Sequence, residues 1–153
     1  MNANRDPISR LAVLFVSLPL LLSCSDSGTG LKKELEPIVG VWEATVLTFP
    51  DPANPGEPID LMIQGASYAL SVLATGQYSA VYDLVLVQGF ESGRIEVSGE
   101  QLTLTPTSGT VTSGSWSLEG GILEVDALKA IDFDLDGDDD VVPIHIELAR
   151  REG

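Results

Sequence analysis

The feature that most constrains the fold of this chain is a succession of short runs in which every second residue is apolar. Three of these runs are Ile95/Val97, Leu102/Leu104 and the series Val142, Ile144, Ile146 and Leu148. Such alternation buries one face of an antiparallel strand and leaves the other face in water. Glycine-containing turns separate the runs, because tight hairpins need residues that adopt positive φ angles.

About eight or nine predicted strands follow one another in this way, and two of them cover residues 122–128 and 130–133. No segment has the periodicity of a long amphipathic helix. The proline-rich residues 50–58 cannot form a regular element, because proline removes backbone donors. Regularly spaced strands without helices are typical of a sandwich or a closed barrel. Since hairpins join successive strands, the sequence predicts an all-β, antiparallel up-and-down meander.

The first 24 residues have the order of an export signal. Arg5 and Arg10 precede an apolar run over residues 11–22. The small residue Ser23 stands directly before Cys24, which is the only cysteine of the chain. The apolar run is shorter than the roughly 20 residues that a membrane-spanning helix needs. An ordinary secretory signal, an uncleaved anchor and a buried cysteine are the alternatives at this point.

The segment Leu21-Leu22-Ser23-Cys24 resembles the lipobox of bacterial lipoproteins. This resemblance implies that residues 1–23 are a signal peptide, and that Cys24 receives a lipid and becomes the first mature residue. Ser25 rather than aspartate after the cysteine implies anchoring at the outer membrane of the cell envelope. An anchor with more than one acyl chain would hold the protein firmly, whereas a single chain binds only marginally.

Behind the signal peptide we expect a flexible tether, residues 24–37, and one folded domain, residues 38–153. The part of the chain after residue 23 has 22 acidic and six basic residues. This charge argues against nucleic acid as a partner and against adsorption to an anionic membrane surface, so the lipid at Cys24 must provide the membrane contact. Acylation also consumes the only cysteine, which excludes a disulfide within the chain.

A second resemblance lies at the predicted first strand. Gly40-Val41-Trp42 has the Gly-x-Trp pattern of the lipocalin signature, and the phrase Ala74-Thr75-Gly76-Gln77-Tyr78 resembles the small lipocalin-like domains of bacterial lipoproteins. The resemblance covers roughly residues 38–150 and implies a lipocalin-like barrel. In that family the tryptophan closes one end of the barrel beneath an arginine from the last strand.

Arg150 is the arginine that this resemblance pairs with Trp42. It has the same parity as Leu148 and the other inward positions of the last predicted strand. We therefore expect a cation–π contact with the tryptophan ring and hydrogen bonds to free carbonyl groups. The alternative is that Trp42 is simply a core residue, as in any all-β domain.

Tyr68, Tyr78 and Tyr82 are predicted to point into the barrel, where each would combine an apolar ring with a hydroxyl group. An eight-stranded barrel either is filled by its own side chains or holds one small molecule. The resemblance implies the binding of a small hydrophobic ligand. The alternative is a filled barrel that acts as a structural or interaction module for a protein partner in the envelope.

The segment of residues 132–140 has the pattern D-x-D-x-D-G-x-x-D. Calcium takes six to eight oxygen ligands, which alternating carboxylates around a glycine can supply. An EF-hand is excluded, because Pro143 stands where that loop needs glutamate. Strand–loop–strand calcium loops of integrin-like propeller blades are more similar, and this resemblance implies the ligands Asp132, Asp134, Asp136 and Asp140 with a backbone oxygen of Asp138. The alternative is a solvated hairpin with acidic outward residues.

The sequence offers few groups for catalysis. His145 is the only histidine and lies at an outward position beside Glu147. No nucleophile elbow or glycine-rich phosphate loop accompanies it, and one histidine without a free cysteine argues against a zinc site. We therefore expect a protein that is not an enzyme. An enzyme would need His145 beside a carboxylate and a serine in one cleft.

Overall fold

Nine antiparallel strands follow a short 3₁₀-helix in the computed structural model, which describes residues 32–152 apart from 52, 53, 55, 86, 132–136 and 139. The helix spans Lys33–Ile38. The strands are β1 (Gly40–Pro50), β2 (Pro58–Asp60), β3 (Ser67–Val72), β4 (Gln77–Asp83), β5 (Gln88–Ser98), β6 (Gln101–Pro106), β7 (Thr112–Glu119), β8 (Ile122–Ile131) and β9 (Asp140–Arg150). Among the described residues, no helix is long and apolar enough to span a bilayer.

From β3 to β9, each strand pairs with the next one along the chain. β1 pairs with β3, and the short β2 lies against the last residues of β1. β9 returns to pair with β1, which closes β1 and β3–β9 into an eight-stranded barrel. Closure leaves no free edge on these strands. The predicted all-β, antiparallel up-and-down fold of eight or nine strands is thus confirmed.

The two ends of the barrel differ. One end carries the 3₁₀-helix and the tight β3–β4, β5–β6 and β7–β8 turns, and we call it the closed end. The opposite end carries the β4–β5, β6–β7 and β8–β9 connections and the segment between β1 and β3, and we call it the open end. The largest side chains that are less than 2% exposed gather at the closed end: Leu35, Ile38, Trp42, Val72, Ile95, Leu123 and Leu148.

The segment before β1 is part of this closed end. Leu35 of the 3₁₀-helix is fully buried, and the backbone N–H of Lys32 donates to the carbonyl of Ala74 at 3.0 Å. The prediction of a flexible tether over residues 24–37 is therefore wrong for its last residues. The apolar side chain of Leu35 covers this end of the barrel and holds the segment in place. The polar residues around it in the sequence do not reveal this role.

β8 is longer than predicted. The sequence predicts separate strands over residues 122–128 and 130–133, but one strand runs from Ile122 to Ile131. Lys129 does not interrupt it, because this residue continues the inward series of Val125 and Ala127. β8 therefore places a charged side chain inside the barrel.

Candidate functional site

The open half of the barrel is hollow. It contains a cavity of about 470 Å³ that reaches the β4–β5 and β6–β7 connections of the open end. Its wall is mainly apolar and includes Leu47, Leu70, Leu102, Leu104, Ile144 and Ile146. Cavities of roughly 300–1,000 Å³ lined mostly by apolar groups are typical of sites for small molecules. This cavity is the candidate site.

Tyr68 and Tyr82, two of the three tyrosines predicted to point inward, line the cavity. They are direct cross-strand partners in β3 and β4, and their rings stack with centroids 6.4 Å apart. The ring of Tyr82 lies against Gly89 of β5, where an added Cβ atom would come within 2.5 Å of the tyrosine hydroxyl. The absence of a side chain at Gly89 therefore makes room for the ring.

Tyr78, the third predicted tyrosine, is buried and connects to the cavity through a hydrogen-bond network. Its hydroxyl donates to Glu91 Oε1 at 2.6 Å. The other carboxylate oxygen, Oε2, accepts from Lys129 Nζ at 2.9 Å. Glu91 of β5 and Lys129 of β8 both line the cavity, and their side chains are only 16% and 29% exposed. An ion pair thus lies inside a mainly apolar lumen.

The surroundings of the tyrosine hydroxyl groups favour their protonated form. Burial raises the pKa of Tyr68, and the charge of Glu91 adds to this effect. Burial also raises the pKa of Tyr78, with the hydrogen bond to Glu91 as the next cause. Both groups therefore keep their protons to a higher pH in the folded protein than in the unfolded chain.

We expect the free energy of unfolding to fall as the pH rises above about 10, the ordinary pKa of tyrosine. Above that pH the unfolded chain loses protons that the folded protein retains, so the unfolded state binds fewer protons and stability decreases with pH. Urea unfolding between about pH 8 and about pH 11 measures the slope. The variant with both Tyr68→Phe and Tyr78→Phe should show a smaller slope, and an unchanged slope would contradict this explanation.

At the closed end, Trp42 and Arg150 lie in contact. The guanidinium carbon of Arg150 is 4.3 Å from the centroid of the Trp42 ring, and the two residues are direct partners in the β1–β9 register. Arg150 Nη1 and Nη2 donate to the carbonyl groups of Val39 and Pro37. Trp42 Nε1 donates to the carbonyl of Ile38 at 2.8 Å. The arginine thus covers the indole and joins the last strand to the 3₁₀-helix.

Gly40 gives the guanidinium of Arg150 its space. Its φ of +141° is a conformation that favours glycine. An added Cβ atom would lie 2.7 Å from Arg150 Nη1. The glycine of the Gly-x-Trp pattern therefore has a physical reason in this chain, because a side chain at that position would displace the arginine from the tryptophan.

His145 lies on the outer face of the barrel. Its Nδ1 is 2.8 Å from Asp126 Oδ1, and its Nε2 is 3.6 Å from Glu147 Oε1. Partial burial lowers the pKa of His145, but the hydrogen bonds to Asp126 and Glu147 and the negative charges of Asp126 and Glu124 outweigh it, so the net direction is upward. Within the described part of the chain, Glu124, His145 and Glu147 offer three ligand atoms within 4.8 Å of one another, which is a spacing that could hold a metal ion.

A shallow groove beside His145 also contains Asp126 and Ser113. These are the residue types that acyl transfer needs in one cleft. The Ser113 hydroxyl, however, shares a hydrogen bond of 3.2 Å with the Thr103 hydroxyl, while His145 Nε2 faces Glu147. The groove therefore does not present serine and histidine as a hydrogen-bonded nucleophile and base.

Two predicted sites lie outside the described residues. One is the lipidation site, Cys24, and the other is most of the predicted calcium loop, including Asp132, Asp134 and Asp136. Near the loop's end the structure describes Gly137 and Asp138, which are exposed. Lipidation and calcium binding both stay predictions.

Glu91 and Lys129 are cavity residues that the sequence analysis missed. The alternation of each strand places both residues on its inward face. Glu91 belongs to the inward series of Ile95, and Lys129 belongs to that of Val125 and Ala127. Charged residues at buried strand positions are rare unless they are paired. Alternation could therefore have placed both charges inside the barrel, but it could not have shown that they pair.

No protein-family model matches the chain, and no curated protein is significantly similar to it. Among solved structures, the chain is similar to the crystal structure of Rv2717c from M. tuberculosis. That similarity has a TM-score of 0.40 at 14% sequence identity and covers 80% of this chain and 100% of that chain. A functional proposal therefore rests on the residues and the geometry of this chain.

Proposed function

We propose that the protein is a lipid-anchored lipoprotein of the cell envelope whose barrel binds one small hydrophobic molecule. The observation that carries this proposal is the cavity of about 470 Å³ in the open half of the barrel. Protein cores are normally packed with few voids larger than a water molecule. The closed half of the barrel follows that rule, whereas Tyr68 and Tyr82 line free volume.

The chemistry of the wall supports an apolar ligand. Leu70, Leu102 and Ile146 supply apolar surface, and each Å² of apolar ligand surface that leaves water contributes about 25 cal/mol. The tyrosine hydroxyl groups and the ion pair supply a small number of polar groups that orient a ligand, as in most small-molecule sites.

The rim of the open end supports the same proposal. Three of its connections carry exposed apolar side chains, namely Ile63, Val85 and Val111, which are 85%, 47% and 52% exposed. Apolar side chains around an entrance lower the free energy of an apolar molecule that approaches the cavity. They therefore favour the open end as the entrance.

The proposed anchor rests on the sequence. The basic segment, the apolar run and Leu21-Leu22-Ser23-Cys24 occur in the order of a lipoprotein signal. The strongly acidic composition after residue 23 gives no electrostatic attraction to an anionic membrane, so a covalent lipid is the physical means of attachment.

Filling the cavity is expected to abolish ligand binding. Ala80 is 1% exposed and lines the cavity, so Ala80→Phe places a ring in the free volume. The test measures the fluorescence of N-phenyl-1-naphthylamine, an uncharged apolar dye, during titration with the purified protein. We expect saturable binding to the wild type and an affinity lower by at least about tenfold for Ala80→Phe, which corresponds to roughly 1.4 kcal/mol.

The matched control is Ala69→Phe. Ala69 precedes the inward Leu70 in β3 and lies on the outer face of the barrel, so this variant should bind the dye like the wild type. Urea unfolding of both variants checks that overpacking has not unfolded the barrel. A wild type without a saturable signal would contradict the proposal and favour the filled interaction module. Unchanged binding by Ala80→Phe would contradict the location of the site.

A further inference from the structure

Charge inside the cavity is confined to one pair. Among the described lining residues, Glu91 and Lys129 are the charged ones, and they lie in contact at 2.9 Å. They come from β5 and β8, which are separated by two strands in the barrel, so the pair crosses part of the lumen. Their charges cancel, and the lumen has no net charge from these residues.

An ion pair in a barrel lumen is weak evidence for a stabilising role. Transferring two charges from water to a low-dielectric interior costs more than their attraction returns in many proteins, and apolar residues of similar volume often stabilise a fold at least as well. The cavity wall is mainly apolar, so an apolar residue in place of Lys129 would also pack there. Glu91 differs, because it accepts the hydrogen bond of the buried Tyr78 hydroxyl, which an apolar residue would leave unpaired. The charge of Lys129 is therefore the feature that packing alone does not explain.

The hydrogen bonds of the pair indicate which of the two residues can donate to a ligand. Each oxygen of Glu91 already accepts one hydrogen bond, from Tyr78 at Oε1 and from Lys129 at Oε2, and an ionised carboxylate has no donor of its own. An ammonium group has three N–H donors. Glu91 is the partner of Lys129 among the described residues and engages one of these donors. Lys129 therefore has donors left for an acceptor atom in the cavity.

We propose that the cavity takes an uncharged amphiphile, a molecule with an apolar body and a terminal neutral oxygen that accepts a hydrogen bond from Lys129. Alcohols, esters and ketones belong to this class. A fatty-acid anion does not, because its carboxylate would lie beside Glu91 and add an uncompensated negative charge to a poorly solvated lumen. This inference rests on the proposed function, since it names the class of molecule that the same cavity binds.

The test displaces N-phenyl-1-naphthylamine from the purified full-length chain with 1-decanol or with decanoate at neutral pH. We expect 1-decanol to displace the dye from the wild type at a concentration about tenfold lower than decanoate does. We expect Lys129→Met to weaken the displacement by 1-decanol about tenfold, the size of one hydrogen bond to a charged group, after correction for the affinity of the same variant for the dye.

Two further variants keep the test decisive. Lys129→Met leaves the Glu91 carboxylate without its cation, so the double variant Glu91→Gln with Lys129→Met is measured beside it and should show the same loss for 1-decanol. Lys32→Met is the matched control, because Lys32 pairs with Glu96 at 3.2 Å outside the cavity. It should leave every affinity unchanged.

The outcomes separate this inference from the function on which it rests. Absence of saturable dye binding to the wild type would overturn both. Dye binding with stronger displacement by decanoate than by 1-decanol would overturn the uncharged class and leave the hydrophobic site intact. Dye binding with equal displacement by 1-decanol in the wild type and in both Lys129 variants would overturn the role of Lys129.

Discussion

Replacing Trp42 with alanine is expected to lower the free energy of unfolding by about 3–5 kcal/mol, the range for a large aromatic side chain removed from a core. The indole is fully buried, donates to the carbonyl of Ile38 and lies beneath Arg150. Its loss leaves a void at the closed end and removes the surface on which the 3₁₀-helix packs. Urea unfolding followed by circular dichroism measures the change.

Trp116→Ala is the matched control. Trp116 is half-buried in β7, and its Nε1 donates to the carbonyl of Gly99 at 3.0 Å, so its loss should cost less. Arg150→Met and the double variant with Trp42→Ala complete a double-mutant cycle, which measures the interaction between the two side chains. We expect a coupling energy of about 0.5–2 kcal/mol, as for cation–π pairs. Equal losses for the two tryptophans, or additive effects of Trp42 and Arg150, would contradict the description of the closed end.

Replacing Cys24 with alanine is expected to move the protein from the membrane fraction to the soluble fraction of a bacterial host that processes lipoproteins. The proposed lipid is attached to the cysteine, and the excess of acidic residues after residue 23 provides no second means of binding to anionic lipid. Cell fractionation measures the distribution, and intact mass spectrometry of the wild type measures the added acyl chains.

Ser25→Ala is the control for this experiment, because it changes the neighbouring residue and keeps the cysteine. It should remain in the membrane fraction. A Cys24→Ala protein that stays with the membrane, or a wild-type protein without acyl chains, would contradict the lipoprotein proposal while leaving the cavity unaffected.

The barrel was predictable because alternation is a local property that the fold preserves. Successive side chains of a strand point to opposite faces of the sheet, so the apolar series from Val142 to Leu148 marks the inward face of the last strand. Arg150 has the same parity and therefore belongs to the same face. The contact of Arg150 with Trp42 could be expected on this basis, since both residues occupy matching positions on neighbouring strands.

The cavity and its ion pair were not predictable in the same way. Parity shows that Leu70 and Tyr82 point inward, but it does not show whether their volumes fill the lumen, because that depends on all eight strands together. Glu91 and Lys129 are 38 residues apart, so their contact arises only from barrel closure. The burial of Leu35 likewise depends on the end of the barrel that it covers, and no local pattern of the segment reveals it.

The entry of the chain at the closed end limits how far this end could lie from a membrane to which Cys24 was anchored. Lys32 is already bound to the β3–β4 turn of that end, and eight peptide steps separate it from Cys24, a reach of at most roughly 28 Å. The proposed lipid at Cys24 would therefore hold the Trp42–Arg150 end within that distance of the bilayer, while the mouth lies at the opposite end of the barrel. With the mouth turned away from the bilayer, the proposed ligand would be exchanged with the aqueous compartment rather than with the lipid layer.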